Sequence, residues 1–165
     1  MKATDLVLTK QGLRFYNRLI PCSVGRGGIT LHKREGDGAT PAGIHRITGI
    51  YYRPDRMLPP TAWAKPIRPF DLWSDDLNDP DYNHLVTSPH NYSHETMRRA
   101  DRLYDIVLNT DWNWPVAKPG QGSAIFLHIW RKPRHPTEGC VGFSRQNLLW
   151  IIQRLSPKSR LIIRP

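Results

Sequence analysis

Ala124-Ile125-Phe126-Leu127-His128, followed after a polar connection by Thr137-Glu138-Gly139-Cys140-Val141-Gly142, decides how this chain is read. The first segment is a short apolar run closing on a histidine. It reads as a buried strand with an imidazole at its rigid end. The second sets a cysteine directly after a glycine in a polar turn, just ahead of a helix start. A thiol used only for packing more often lies inside an apolar run. One in a glycine-flanked turn leaves room for a substrate, and an imidazole within reach can make it a nucleophile, because the thiolate is the reactive form. The N–H groups of Gly139 and Cys140 are candidate donors to an oxyanion. Spacing alone leaves two readings open: a Cys140–His128 dyad, or a structural thiol beside a satisfied core histidine.

Outward from this pair, Asp5 to Thr9 and Leu13 to Ile20 read as strands joined by a hairpin turn at Lys10-Gln11-Gly12. Leu13, Phe15 and Leu19 share one face of the second run. Gly25-Arg26-Gly27-Gly28 lacks the Lys-Ser/Thr ending of a phosphate loop and reads as a backbone turn. A polar loop, Lys33 to Gly43, precedes a strand over Ile44 to Tyr52. From Arg53 to Asn91 no period persists. The segment is rich in Pro, Asp and Asn and carries Trp63, Phe70, Trp73 and Tyr82, so it is expected to be an ordered flap or pocket wall with the site opening beside it. Ser93 to Arg102 is expected to be a short helix capped by Ser93. Leu103 to Leu108 and Ala124 to Ile129 read as buried strands. Ser144 caps a helix with Leu148, Ile151, Ile152 and Leu155 on its apolar face, and Leu161 to Ile163 is a last strand. The whole, residues 1–165, is expected to be one domain, mainly β with short α-helices (an α+β chain).

Composition narrows the function. The chain has 165 residues, 39% of them apolar, and a formal charge of +10 from 24 Lys and Arg against 14 Asp and Glu. It is long enough for a real core, and no apolar stretch is long enough to span a bilayer. The basic residues are scattered, and no nucleic-acid-binding motif accompanies them, so no specific nucleic-acid partner is expected. The charge suits an anionic polymer. The segment from Met1 to Lys10 lacks the apolar core of a secretory signal, so either a cytoplasmic protein or a longer precursor is expected. Of the two cysteines, Cys22 follows Ile20-Pro21 and reads as structural. His90 and His94 are four apart, but Pro89 and Asn91 oppose a helix there and no H-E-x-x-H pattern exists, so no metal is expected.

Gly122 to His128 with Thr137 to Val141 resembles the active-site segments of L,D-transpeptidases of the YkuD type. Thr40-Pro41-Ala42-Gly43-Ile44 resembles that family's upstream Thr-Pro-x-Gly element, in the same order and at a similar separation. The family's commoner form is Ser-His-Gly-Cys; the Thr-Glu-Gly-Cys-Val core and the Lys33 to Gly43 loop are similar to a divergent branch. The resemblance implies a YkuD-like β-sandwich catalytic domain acting on peptidoglycan stem peptides, without a cofactor. It implies Cys140 as nucleophile, His128 as proton acceptor and donor, and Gly139 in an oxyanion hole. The product implied is a 3→3 cross-link formed through a thioester. Hydrolysis on the same site, as an L,D-carboxypeptidase, endopeptidase or amidase, is the alternative, and a non-catalytic module for anionic wall polymer is a second.

Substrate-side candidates are Arg131, three residues after His128 and able to grip a carboxylate with both arms of its guanidinium; Thr137; Glu138, placed to orient Arg131 or His135 or simply to face water; and Tyr104, a pocket or core tyrosine. His94, in a Ser93-His94-Glu95 element shared with the divergent branch, is expected at the pocket rim. The family implies the cell envelope or periplasm.

Overall fold

The computed structural model describes residues 2–165. In chain order the elements are β1 (Leu6–Thr9), β2 (Gly12–Phe15), β3 (Arg18–Ile20), β4 (Ile29–Thr30), β5 (Thr40–Pro41), β6 (Gly43–Tyr52), β7 (Lys65–Pro66), β8 (Asp71–Ser74), β9 (Leu85–Thr87), β10 (His94–Thr96), β11 (Ile106–Thr110), β12 (Phe126–Ile129), β13 (Val141–Phe143), α1 (Arg145–Ile152) and β14 (Arg160–Ile163). The chain is mostly β, as its patterning implies, but it has one α-helix among the described residues where two were expected.

The large sheet runs β13-β12-β11-β6-β14-β1-β2-β3. β6 is long enough to serve two halves. Its first residues, Gly43 to Arg46, pair with β14, and Ile47 to Tyr52 pair with β11. Leu6, Leu8, Leu13, Phe15 and Leu161 from one half meet Ile106, Leu108, Leu127, Ile129, Val141 and Phe143 from the other, and Leu148, Ile151 and Ile152 of α1 complete this main core. Ser144 caps α1, accepting a hydrogen bond from the Asn147 N–H.

Because side chains alternate along a strand, the residues between these face the other way. Val107 and Phe126 join Ile67, Trp73, Met97 and Tyr104 in a second apolar cluster, with Cys140 packed on it. A small sheet, β10-β8-β9, carries part of that cluster. No helix among the described residues is long and apolar enough to cross a membrane.

Two expectations are corrected. Leu13 to Ile20 is not one strand: Tyr16 and Asn17, both at positive φ (43° and 61°), make a tight turn that folds β3 back on β2. The turn reverses the alternation, so Leu19 is exposed and Ile20 is buried. Ser93 to Arg102 is not a helix. The edge of β8 takes His94–Thr96 as an antiparallel strand, and the Ser93 N–H bonds the Asp76 carboxylate in place of capping. The Arg53 to Asn91 excursion is ordered, with β7, β8 and β9 in it and Trp73 and Tyr82 buried, although Phe70 lies exposed.

Candidate active site

β12 and β13 run parallel with Leu127 opposite Val141 and His128 opposite Gly142. One step back, Phe126 comes level with Cys140, so Cys140 and His128 project from the same face of the sheet, one strand and two residues apart. Leu127, Ile129, Val141 and Phe143 take the opposite face and anchor the strands in the main core. Cys140 and His128 both line a cavity of about 240 Å³, with Glu95, Arg99, Leu103, Tyr104, Arg131, His135, Pro136, Thr137 and Glu138 around it.

His128 is buried. Its Nδ1 lies 2.8 Å from the Ile129 carbonyl oxygen. That acceptor requires the proton on Nδ1 and leaves the Nε2 lone pair free. Burial pushes the imidazole down to about 4. The Tyr104 ring stands edge-on to it at 5.4 Å between centroids. Cys140 is half-buried, but its thiol is closely surrounded. The sulfur donates to the Ala124 carbonyl at 3.0 Å and accepts from the Phe126 N–H at 3.4 Å. Burial first, then the nearby Glu95 carboxylate, push the thiol up to about 12. The resting pair is therefore a neutral thiol beside a neutral imidazole.

The turn that presents Cys140 is built by threonines and glycines. The Thr137 hydroxyl donates to the Cys140 carbonyl at 2.6 Å and accepts from the Gly139 N–H at 3.2 Å. The Thr40 hydroxyl donates to the Gly139 carbonyl at 2.8 Å and accepts from the Gly25 N–H at 2.8 Å. Gly139 has φ +136°, and a Cβ there would come within 3.0 Å of the Ala39 carbonyl oxygen, so only glycine fits without strain. The Gly25 turn and the Thr-Pro-Ala-Gly segment thus hold the cysteine turn from behind.

Thr137 and Tyr104 line the cavity, Tyr104 from the buried side. Arg131 is exposed on the cavity wall and makes no ion pair among the described residues. Glu138 is also on the rim, but it pairs with Arg26 at 2.7 Å and orients neither Arg131 nor His135; both partners are largely exposed. His94 does not line the cavity. Alternation along β10 turns His94 and Thr96 outward, and Glu95, opposite Trp73, inward. The wall beside the site is the Glu95 to Tyr104 segment and not the Arg53 to Asn91 excursion. His90 sits on the Asp79 carboxylate at 2.8 Å, its ring 5.8 Å from that of His94, and no group of three metal-binding side chains is gathered among the described residues.

Sequence reading missed the placement of Glu95 and Arg99. A cap at Ser93 would put Glu95 in the first turn of a helix that does not form, and His94-Glu95-Thr96 has no apolar alternation to mark a strand. Arg99 carries no local signal, since its place over the Tyr104 ring, 5.1 Å from the centroid, is tertiary.

Comparison with curated proteins and with solved structures gives no match. The family model for the L,D-transpeptidase catalytic domain, YkuD, matches residues 2–163, which takes in the Thr40 element, the His128 strand and the Cys140 turn. The chain belongs to the YkuD family of L,D-transpeptidase catalytic domains.

Proposed function

We propose that this YkuD-family protein is a cysteine L,D-transpeptidase that forms 3→3 cross-links between peptidoglycan stem peptides in the cell envelope, with Cys140 as nucleophile and His128 as its base. The observation that carries the reading is the shared cavity: a thiol and an imidazole with a free Nε2, projecting from one sheet face into a site with an open rim. As the Cys140 sulfur attacks the carbonyl carbon of the third stem residue, its proton passes to His128 Nε2. A neutral starting pair makes this concerted transfer necessary, because no thiolate is stored in advance. The tetrahedral oxyanion is held at the turn. The Gly139 N–H is already engaged by Thr137, so the Cys140 N–H is the better placed of the two donors. Collapse returns the Nε2 proton to the departing terminal D-Ala amine and leaves a thioester. The side-chain amine of a second stem then displaces the sulfur.

Hydrolysis of the same thioester is the second reading. It is favoured by the short connection from His128 to Cys140, whose residues Arg131 to Pro136 are all exposed and leave the rim open to water. Incubation with purified tetrapeptide muropeptides separates the two: cross-linked dimers support transfer, and tripeptides alone support hydrolysis. Cys140→Ala is expected to give neither. A mass adduct of a carbapenem on Cys140 is the expected sign of thiol acylation, and its absence, together with the absence of product, would leave only a binding module for anionic wall polymer.

A further inference from the structure

Glu95 is a half-buried carboxylate on the cavity wall. It lines the same cavity as Cys140 and His128. Its Oε2 accepts the Tyr104 hydroxyl proton, and no described residue bonds Oε1. It makes no ion pair among the described residues. The Arg99 charge partly offsets this carboxylate, but its guanidinium bonds both oxygens of Asp101, at 2.9 and 2.7 Å, and not Glu95. Asp75 and Glu35 add to the negative field at Glu95, and one buried Asp75 oxygen has no hydrogen-bond partner. Burial is the main reason the Glu95 carboxyl is raised above the usual range.

This placement works against the first half of the reaction. A negative group beside the thiol opposes thiolate formation, and Glu95 is the second cause of the raised Cys140 thiol. A carboxylate that hinders acylation has a use only if a cation enters the cavity later. The second half-reaction brings one: the attacking amine arrives as an ammonium, with an ordinary value near 10.4, and must lose a proton before it can attack. His128 carries no negative charge to form an ion pair with an ammonium group, and its Nε2 can take only one of the two protons that the nitrogen must lose.

We infer that Glu95, positioned by Tyr104, is the acceptor-amine site: it binds the incoming ammonium group of the second stem peptide and takes its proton. The inference rests on the acyl-transfer reading above. The ammonium gives one proton to Glu95 and becomes a free amine. The amine nitrogen attacks the thioester carbon. His128 Nε2 takes a second proton from that nitrogen and hands it to the departing Cys140 sulfur, so an amide forms and the thiol is regenerated. Glu95 then releases its proton to solvent. Water carries no positive charge and forms no ion pair with Glu95, so the residue favours amine transfer over hydrolysis.

The test is a partition measurement with purified tetrapeptide muropeptide as both donor and acceptor. The first-turnover burst of D-alanine reports acylation, and the ratio of cross-linked dimer to tripeptide reports the fate of the thioester. Glu95→Gln is expected to release D-alanine at least as fast as the wild type, because the charge beside the thiol is gone. Its transfer-to-hydrolysis ratio is expected to fall about 100-fold. Tyr104→Phe, which leaves the carboxylate in place but unpositioned, is expected to shift the ratio the same way by a smaller factor. An unchanged ratio in Glu95→Gln, or a wild type that acylates yet yields only tripeptide, overturns the amine site while leaving Cys140 chemistry intact. A wild type that releases no D-alanine and forms no Cys140 adduct overturns the acyl-transfer reading itself, and the amine site with it.

Discussion

His128 and Cys140 stand on neighbouring parallel strands, with His128 level with Gly142, so the imidazole and the thiol leave the same face of the sheet into one cavity. The strands are fixed by the residues between them, Leu127, Val141 and Phe143, all buried in the main core. The proposed catalytic pair is thus positioned by packing on the far side of the sheet.

The first prediction follows from that separation of duties. Cys140→Ala removes the thioester step entirely, and His128→Ala slows acylation by about 10²- to 10⁴-fold. Cys140→Ala removes one atom outside the main core and is expected to unfold close to the wild-type temperature, while His128→Ala empties a buried ring site and should melt lower but still cooperatively. Carbapenem adduct formation followed by intact mass, beside a thermal melt, checks both. Undiminished acylation in His128→Ala would remove the imidazole from the mechanism.

The acid limb of activity is the second. His128 is useful as a base only when neutral, and burial holds it down to about 4. Lowering the value extends the neutral form to lower pH, so the kcat/KM for acylation should stay flat through the range near 6.5 where an unperturbed histidine would protonate. The fall should centre near pH 4. A limb centred at the unperturbed value would show that the imidazole is far more solvated than its position implies.

How much of this was legible in the chain depends on whether each signal is local. Ser144 and the apolar face behind it announce α1, and Leu161 to Ile163 announces β14, because capping and short apolar runs need no distant partner. Cys140 and His128 drew attention through residue type and spacing. The Tyr16-Asn17 turn carried no Gly or Pro to mark it, and its positive φ values become visible only when β3 pairs with β2. Glu95 was hidden for a related reason. Its inward orientation is set by pairing with Trp73 on β8, and its hydrogen bond comes from Tyr104 nine residues on. Helix propensity and a serine cap favoured the wrong element there, and the edge of β8 overrode them.

The third prediction concerns Thr40, which touches no substrate in the proposed mechanism. Its fully buried hydroxyl joins the Gly139 carbonyl to the Gly25 N–H. Thr40→Val keeps the shape and leaves both groups without a partner, at about 1–3 kcal/mol for each. The expected loss is about 2 to 6 kcal/mol of stability by denaturant titration, with slower acylation because the cysteine turn loosens. Thr40→Ser keeps the hydroxyl and should restore most of both. A Thr40→Val protein as stable as the wild type beside a weakened Thr40→Ser would mean that the methyl group, and not the hydrogen bonds, holds the turn.

Acid sensitivity of the fold supplies the fourth. Arg53 is buried, and its Nε and Nη2 donate to the two Asp55 oxygens at 2.9 and 2.8 Å while Nη1 reaches the Arg99 carbonyl at 2.6 Å. The Arg53 guanidinium lowers the Asp55 carboxyl to about 2. A carboxylate whose folded value is depressed stabilises the fold above its unfolded value, near 3.9. That contribution disappears as pH falls through the folded value. Asp55→Asn should therefore melt below the wild type at neutral pH. The difference should narrow below about pH 4 and vanish near pH 2, where the wild-type carboxyl is itself protonated. Parallel melts of the two proteins across that range decide the point: a difference that stays constant down to the lowest pH would assign the effect to shape or hydrogen bonding at Asp55 and not to its charge.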